Sequence, residues 1–148
     1  MLAIVGSTEI ARPPEDVFAY ATDFAHFPEW QGSVTSVRPK GDAPLAVGSR
    51  AVVTRRVGPR ELTALQEISE LNPPRAWAVR AVGGPVTATA RGAIEELGDR
   101  GASQVTISLE FEGHGIGRLL VPLVIRPQAR KQLPTNLQRL KEVLERGA

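Results

Sequence analysis

Two histidines, His26 and His114, are the only imidazoles in a chain of 148 residues that has no cysteine. Any acid–base chemistry therefore runs through these two rings or through carboxylate, phenol and amide groups. Tyr20 and Asp23 stand three apart on what reads as a short helix, and His26 follows close behind. A phenol, a carboxylate and an imidazole are groups that abstract an α-proton or polarise a carbonyl. The plainer reading of the same residues is a core aromatic, a helix-end polar group and a surface ring. Gln66 shares the parity of Leu62, Ala64 and Ile68, which makes it an inward amide able to orient a ligand carbonyl. His114 sits between glycines and reads as a loop residue. The candidate catalytic residues are thus Tyr20, Asp23, His26 and Gln66.

Several other chemistries are excluded on pattern. Two histidines without a thiolate argue against zinc, and no metal or cofactor is expected. Gly113-His114-Gly115-Ile116-Gly117 follows a strand and precedes a helix, but its G-x-G-x-G spacing and the lack of a second βαβ half speak against a dinucleotide site. Neither a G-x-S-x-G elbow nor a P-loop is present. Nucleic-acid binding lacks a basic strand face with interleaved aromatics.

The elements that position these residues follow from periodicity and punctuation. Leu2 to Ala11 reads as a strand, ended by Pro13 and Pro14. Those prolines with Glu15 and Asp16 make a good helix start, and Val17, Tyr20, Ala21 and Phe24 recur at helical spacing, which predicts a helix at about 14–23 and a short turn over 25–29. From Gly32 to Glu112 the turn signals at residues 39–42, 58–59, 72–74, 83–85 and 98–101 separate six strand-length segments of an antiparallel meander. Val105, Ile107, Leu109 and Phe111 alternate with polar residues, so that strand has one apolar and one wet face. Arg80 and Arg91 fall on wet parities, whereas the register of residues 50–57 does not resolve. After Gly117 the period is helical. Leu133, Leu137, Leu140 and Leu144 form a buried stripe, preceded by Leu119, Leu120, Leu123 and Val124. Pro122, Pro127 and Pro134 predict a kinked segment over 117–133 and a regular helix over 135–146.

One strand, two short helices, six strands and one long amphipathic helix give an α+β domain, residues 1–148, in which a seven-stranded sheet packs on one helix. A chain of this length buries roughly 70% of its unfolded surface and needs no disulfide. The inward positions Ala64, Ala88, Ala90 and Gly92 are too small to fill the space beneath the helix at normal density, which predicts an internal apolar cavity. Five of seven aromatics crowd between Phe18 and Trp30, as bulky rings over one end of it. Residues 113–148 hold seven basic and two acidic groups, a net of +5. This reads as a solvated helix face, with transient contact to an anionic membrane left open. The apolar run Leu119 to Ile125 is too short to span a bilayer, so no membrane insertion is expected and the cytoplasm is the default compartment.

The stretches ARPPEDVFAYATDFAHFPEW (Ala11 to Trp30), ELNPPRAW (Glu70 to Trp77) and NLQRLKEVLE (Asn136 to Glu145) resemble the SRPBCC superfamily, and within it the polyketide cyclase/dehydrase and lipid-transport branch, related in fold to START domains and the birch-pollen allergen. The resemblance covers essentially the whole chain. It implies a helix-grip fold, in which a curved sheet holds the C-terminal helix around a hydrophobic ligand cavity, with Phe24, Phe27 and Trp30 bordering its mouth. No catalytic signature of the family is matched, so enzyme activity stays open. The first expectation is a binder of a small hydrophobic ligand (lipid, polyketide or isoprenoid-like), lined by Phe27, Trp30, Trp77, Val79, Ile107, Leu109, Leu120, Leu123 and Val124. The alternatives are a polyketide cyclase, aromatase or dehydratase using acid–base groups of the same cavity, and a non-catalytic co-chaperone or toxin-like module with a filled interior. Monomer and homodimer both remain open.

Overall fold

Alternation of apolar and polar side chains along residues 102–113 builds the best-formed strand, and the other strands assemble beside it. The computed structural model describes residues 3–82, 85–98 and 101–147; Met1, Leu2, the Gly83–Gly84 and Asp99–Arg100 pairs of two expected turns, and Ala148 lie outside the described residues. The strands are β1 (Ile4–Ile10), β2 (Val34–Lys40), β3 (Arg50–Val57), β4 (Arg60–Asn72), β5 (Ala76–Val82), β6 (Val86–Leu97) and β7 (Ala102–Gly113). They form one seven-stranded antiparallel sheet in the order β1-β7-β6-β5-β4-β3-β2. Breaks in register at Val34/Ser36 and Ile68/Glu70 mark two irregularities of the kind that bend a strand.

Between β1 and β2 come α1 (Pro14–Thr22), a 3-10 turn (Phe24–His26) and α2 (Phe27–Trp30). Pro14 opens α1 with Glu15 and Asp16 in its first turn, where acidic groups meet the positive end of the helix dipole. Asp23 starts the next turn, its Oδ1 accepting from the Ala25 N–H at 3.0 Å.

Cross-strand partners fix which side chains face the helices. Ala51 lies opposite Gln66, Val53 opposite Ala64 and Arg55 opposite Leu62. Val79 pairs with Ala90 and Trp77 with Gly92, and Gly92 with Ile107. The inward row of β3 is therefore Ala51, Val53, Arg55 and Val57, which settles the register that the sequence left open and turns a guanidinium toward the interior.

The C-terminal helix departs from expectation. It consists of α3 (Gly117–Leu120), a π-helical turn (Val121–Ile125) and α4 (Arg126–Arg146). The regular helix thus begins nine residues earlier than proposed and runs through Pro134. A proline inside a helix costs about 3 kcal/mol. Leu133, Leu137, Leu140 and Leu144, buried on either side of it, each contribute roughly 1.5–3 kcal/mol and outweigh that cost. Buried positions Gly117, Val121 and Ile125 recur every four residues, too long a step for a 3.6-residue turn. The wider π turn absorbs the difference and keeps all three against the sheet. Leu119 and Leu123 consequently point the other way, 63% and 71% exposed, beside Ile116 at 67%. Leu123 does not line the interior.

Candidate functional site

The two ends of the concave face are built differently. At one end Ile10, Ile94 and Val105 are fully packed with Leu137 and Leu140. Phe18 of α1 meets Trp77 edge-on at 5.8 Å, and the Trp77 indole lies over Gly92, where a Cβ would come within 2.2 Å of the ring. Only glycine leaves room for that ring. At the other end the inward side chains of Val57, Leu62, Ala64, Ala88, Ala90, Leu109 and Phe111 are only half-buried. These residues keep solvent-accessible surface, although Leu109 and Phe111 also pack against the core. Leu120 and Val124, also half-buried, are the helix residues at this end. Gln128 ties the helix there, donating from Nε2 to the Arg56 carbonyl at 2.8 Å and accepting from the Gly58 N–H at 2.9 Å. A second tie runs from the Gly32 N–H to Asn136 Oδ1, 3.0 Å. The glycine loop of residues 113–117 has a packing role: a Cβ at Gly117 would lie 1.9 Å from the Pro85 carbonyl oxygen.

Polar groups enter this interior at three points. Arg55 donates from Nη2 to Gln31 Oε1 at 2.6 Å and from Nη1 to Ser33 Oγ at 3.2 Å. It forms no ion pair among the described residues. Burial lowers its pKa to about 10 from the usual 12.5, because desolvation disfavours the charged form. Gln66 is 5% exposed, and its Oε1 has no hydrogen-bond donor. The Trp30 indole N–H is likewise buried without an acceptor.

The candidate acid–base residues come together elsewhere. The Tyr20 hydroxyl donates to Glu29 Oε1 at 2.5 Å, and its ring stacks on His26 with centroids 4.4 Å apart. His26 Nδ1 lies 3.1 Å from Glu29 Oε2 and Nε2 3.5 Å from Asp23 Oδ2. Burial, and then the bond to Glu29, push the Tyr20 phenol above its ordinary range. The hydrogen bond from Tyr20, reinforced by His26, lowers the Glu29 carboxyl. This quartet sits on the outer side of α1 and α2, with Asp23 and Glu29 exposed, so Tyr20, Asp23 and His26 do not share a pocket with Gln66. Glu29 was not anticipated, although its spacing of three from His26 was there to read. His114 packs locally, Nε2 3.2 Å from Thr87 Oγ1.

The aromatic residues expected as a lid are core instead. Phe27 and Trp30 are 3% and 5% exposed and pack edge to face, Phe24 on Phe27 at 5.2 Å and Phe27 on Trp30 at 6.2 Å. Edge-to-face contacts of this kind favour mutual packing over an open gate. Trp77, Val79 and Ile107 are buried, and Leu109, Leu120 and Val124 half-buried.

Two hollows lie outside the concave face. One, of about 790 Å³, runs over the convex side past Arg80, Arg91 and Glu110 to Phe111 and Val121 at the sheet end. Arg91 there is 3.6 Å from Glu70 and 4.0 Å from Glu110, a solvated ion-pair face. The other, about 580 Å³, separates the Asp23–Phe24 turn from the loop at residues 41–49. Among the described residues no helix is long and apolar enough to cross a membrane, and no cluster of three or more His, Cys, Asp or Glu is placed to hold a metal ion.

A curved antiparallel sheet closed on a long C-terminal helix defines a helix-grip protein. The family model described as polyketide cyclase / dehydrase and lipid transport matches residues 1–145, and the chain belongs to that family. No curated protein sequence matches it. Among solved structures, a Thermus thermophilus protein superposes with a TM-score of 0.79 at 17% identity, covering 99% of each chain. The Zhui aromatase/cyclase of a Streptomyces species gives 0.79 at 14% identity, covering 97% of this chain and 93% of its own. A Deinococcus radiodurans protein gives 0.71 at 17%, covering 100% of both. At these identities the likeness extends to the fold.

Proposed function

We propose that this chain binds a small hydrophobic ligand of the lipid, polyketide or isoprenoid class in the unfilled end of its concave face, and that it acts as a carrier. The observation that carries this reading is the half-buried state of Ala64, Ala88 and Ala90, three small residues on the inward face of the sheet. Apolar surface left uncovered in this way favours an apolar guest. A carrier needs no assembled acid–base pair, and Tyr20, Asp23 and His26 sit outside this space with Glu29. A cyclase would need such groups to project into it. The test is titration with a fluorescent fatty-acid analogue. The wild-type protein is expected to bind, and Ala90→Leu, which fills the hollow from the sheet side, to lower affinity at least tenfold. Equal affinity in the two proteins would remove the concave face as the site.

A further inference from the structure

Arg55 is a cation that the fold turns inward without giving it a counter-charge. Its place follows from register: it continues the row of Ala51 and Val53, which are fully buried, and lies opposite Leu62 and Val34. Its protein partners, Gln31 Oε1 and Ser33 Oγ, are neutral. A guanidinium has five N–H donors, so two bonds leave about three free, enough for a two-point grip on a carboxylate. α4 is tied down on either side of this corner, by Gln128 to the β3–β4 turn and by Asn136 to Gly32. At the same α2–β2 corner, Trp30 immediately precedes Gln31 and holds a second donor, an indole N–H, buried and without an acceptor. A guanidinium whose partners are all neutral, an indole N–H without an acceptor, and half-buried apolar walls at Val57, Leu62 and Ala64 make an uneven environment. It is cationic at one corner and hydrocarbon beside it. Taking a guanidinium out of water without an opposing charge is costly, and a ligand that brings a negative charge relieves that cost.

We infer that the ligand is an amphipathic acid: an apolar body ending in a carboxylate, with the carboxylate against Arg55 and the body along the unfilled end of the sheet. This rests on the hydrophobic-ligand reading above and adds the chemical class of the head group. Neutral hydrocarbons, esters and alcohols of the same length are then weaker ligands, because they leave the guanidinium unpaired. Arg55 is a binding residue in this scheme.

The experiment compares cis-parinaric acid with its methyl ester at about pH 8, where a carboxylic acid is ionised, on the wild-type protein, Arg55→Met and Arg55→Lys. The wild-type protein is expected to prefer the acid at least tenfold. Arg55→Met should erase that preference by weakening the acid alone, and Arg55→Lys should restore part of it, since an ammonium supplies the charge without the planar fork. Equal binding of acid and ester to the wild-type protein overturns the inference and leaves the hydrophobic-ligand reading standing. So does an equal loss of both in Arg55→Met, which would make Arg55 a brace for the Gln31–Ser33 corner. Failure of both compounds to bind the wild-type protein overturns both readings. If Arg55→Met does not give the wild-type circular-dichroism spectrum, the wild-type acid/ester ratio and Arg55→Lys decide.

Discussion

The same strands that end in a solid core at one end of the sheet end in uncovered alanines at the other. β6 shows the contrast within one element: Ile94 is packed in the main core with Val105, Phe18 and Trp77, whereas Ala88 and Ala90, six and four residues earlier on the same face, keep free surface. Backbone geometry hardly differs between the two ends, since β6 and β7 pair without a break from Val86 to Leu97. Side-chain volume differs. Large branched and aromatic residues meet the leucine stripe of α4 at the packed end, while methyl groups face α3 and the π turn at the other. Stability and binding are thus assigned to opposite ends of one sheet, and each can be altered with little effect on the other.

The largest test of this division is truncation. Leu140→Ala, at a site that is 0% exposed, should cost about 2–5 kcal/mol in urea unfolding. Leu62→Ala, at the unfilled end, should cost well under half as much because little of its surface is packed. Similar losses would mean that the two ends are equally filled. Additions should give the reverse asymmetry. Gly92→Ala drives a Cβ into the Trp77 ring and should cost about 1–3 kcal/mol. Ala90→Leu, two residues away on the same face, should change stability by less than about 1 kcal/mol while it weakens ligand binding. An Ala90→Leu penalty as large as that of Gly92→Ala would show the hollow to be closed.

The smallest expected effect concerns the clasp that closes the packed end from outside. Glu145 Oε2 accepts from the Ala11 N–H at 2.9 Å and from Lys141 Nζ at 2.7 Å. The Lys141 bond, followed by the Ala11 bond, holds its carboxyl below the ordinary 4.5. A carboxyl with a depressed folded-state pKa adds stability above its unfolded value and loses it as pH falls through the folded one. Glu145→Gln should therefore destabilise by only a few tenths to about 1 kcal/mol at neutral pH. The gap from wild type should shrink below about pH 4 and with added salt. A gap that persists in acid would assign the clasp to packing.

The architecture was legible because its signals are local and strong: the alternation over 105–111, the double proline before α1, and the leucine spacing of α4. Arg55 was not, and the reason is physical. Residues 50–57 carry arginine on both parities, Arg55 on one and Arg50 and Arg56 on the other, so neither row reads as the apolar one. The residue that blurs the strand pattern is the one turned inward. A departure from patterning at a site of function is what local consistency elsewhere leads one to expect. Among the aromatics, spacing located a helix but did not rank its faces: Tyr20 sits half-buried at the core's edge, stacked on His26, while Phe24, Phe27 and Trp30 are in the core. Leu123 was misplaced because a π turn leaves no compositional mark, only a change of phase seen once the backbone is traced.

That phase change also constrains the length of the helix. Because residues 121–125 make one wide turn, the polypeptide on either side is locked to the sheet like two gears joined by a slipped tooth: Gly117 against Pro85 before it, the leucine stripe against β1 after it. Removing one residue from that turn would restore an ordinary helix with its two flanks still in phase, whereas a deletion within α3 or α4 would rotate one flank against the other by about 100°. The π turn is thus the place in this helix where a one-residue change of length does least damage.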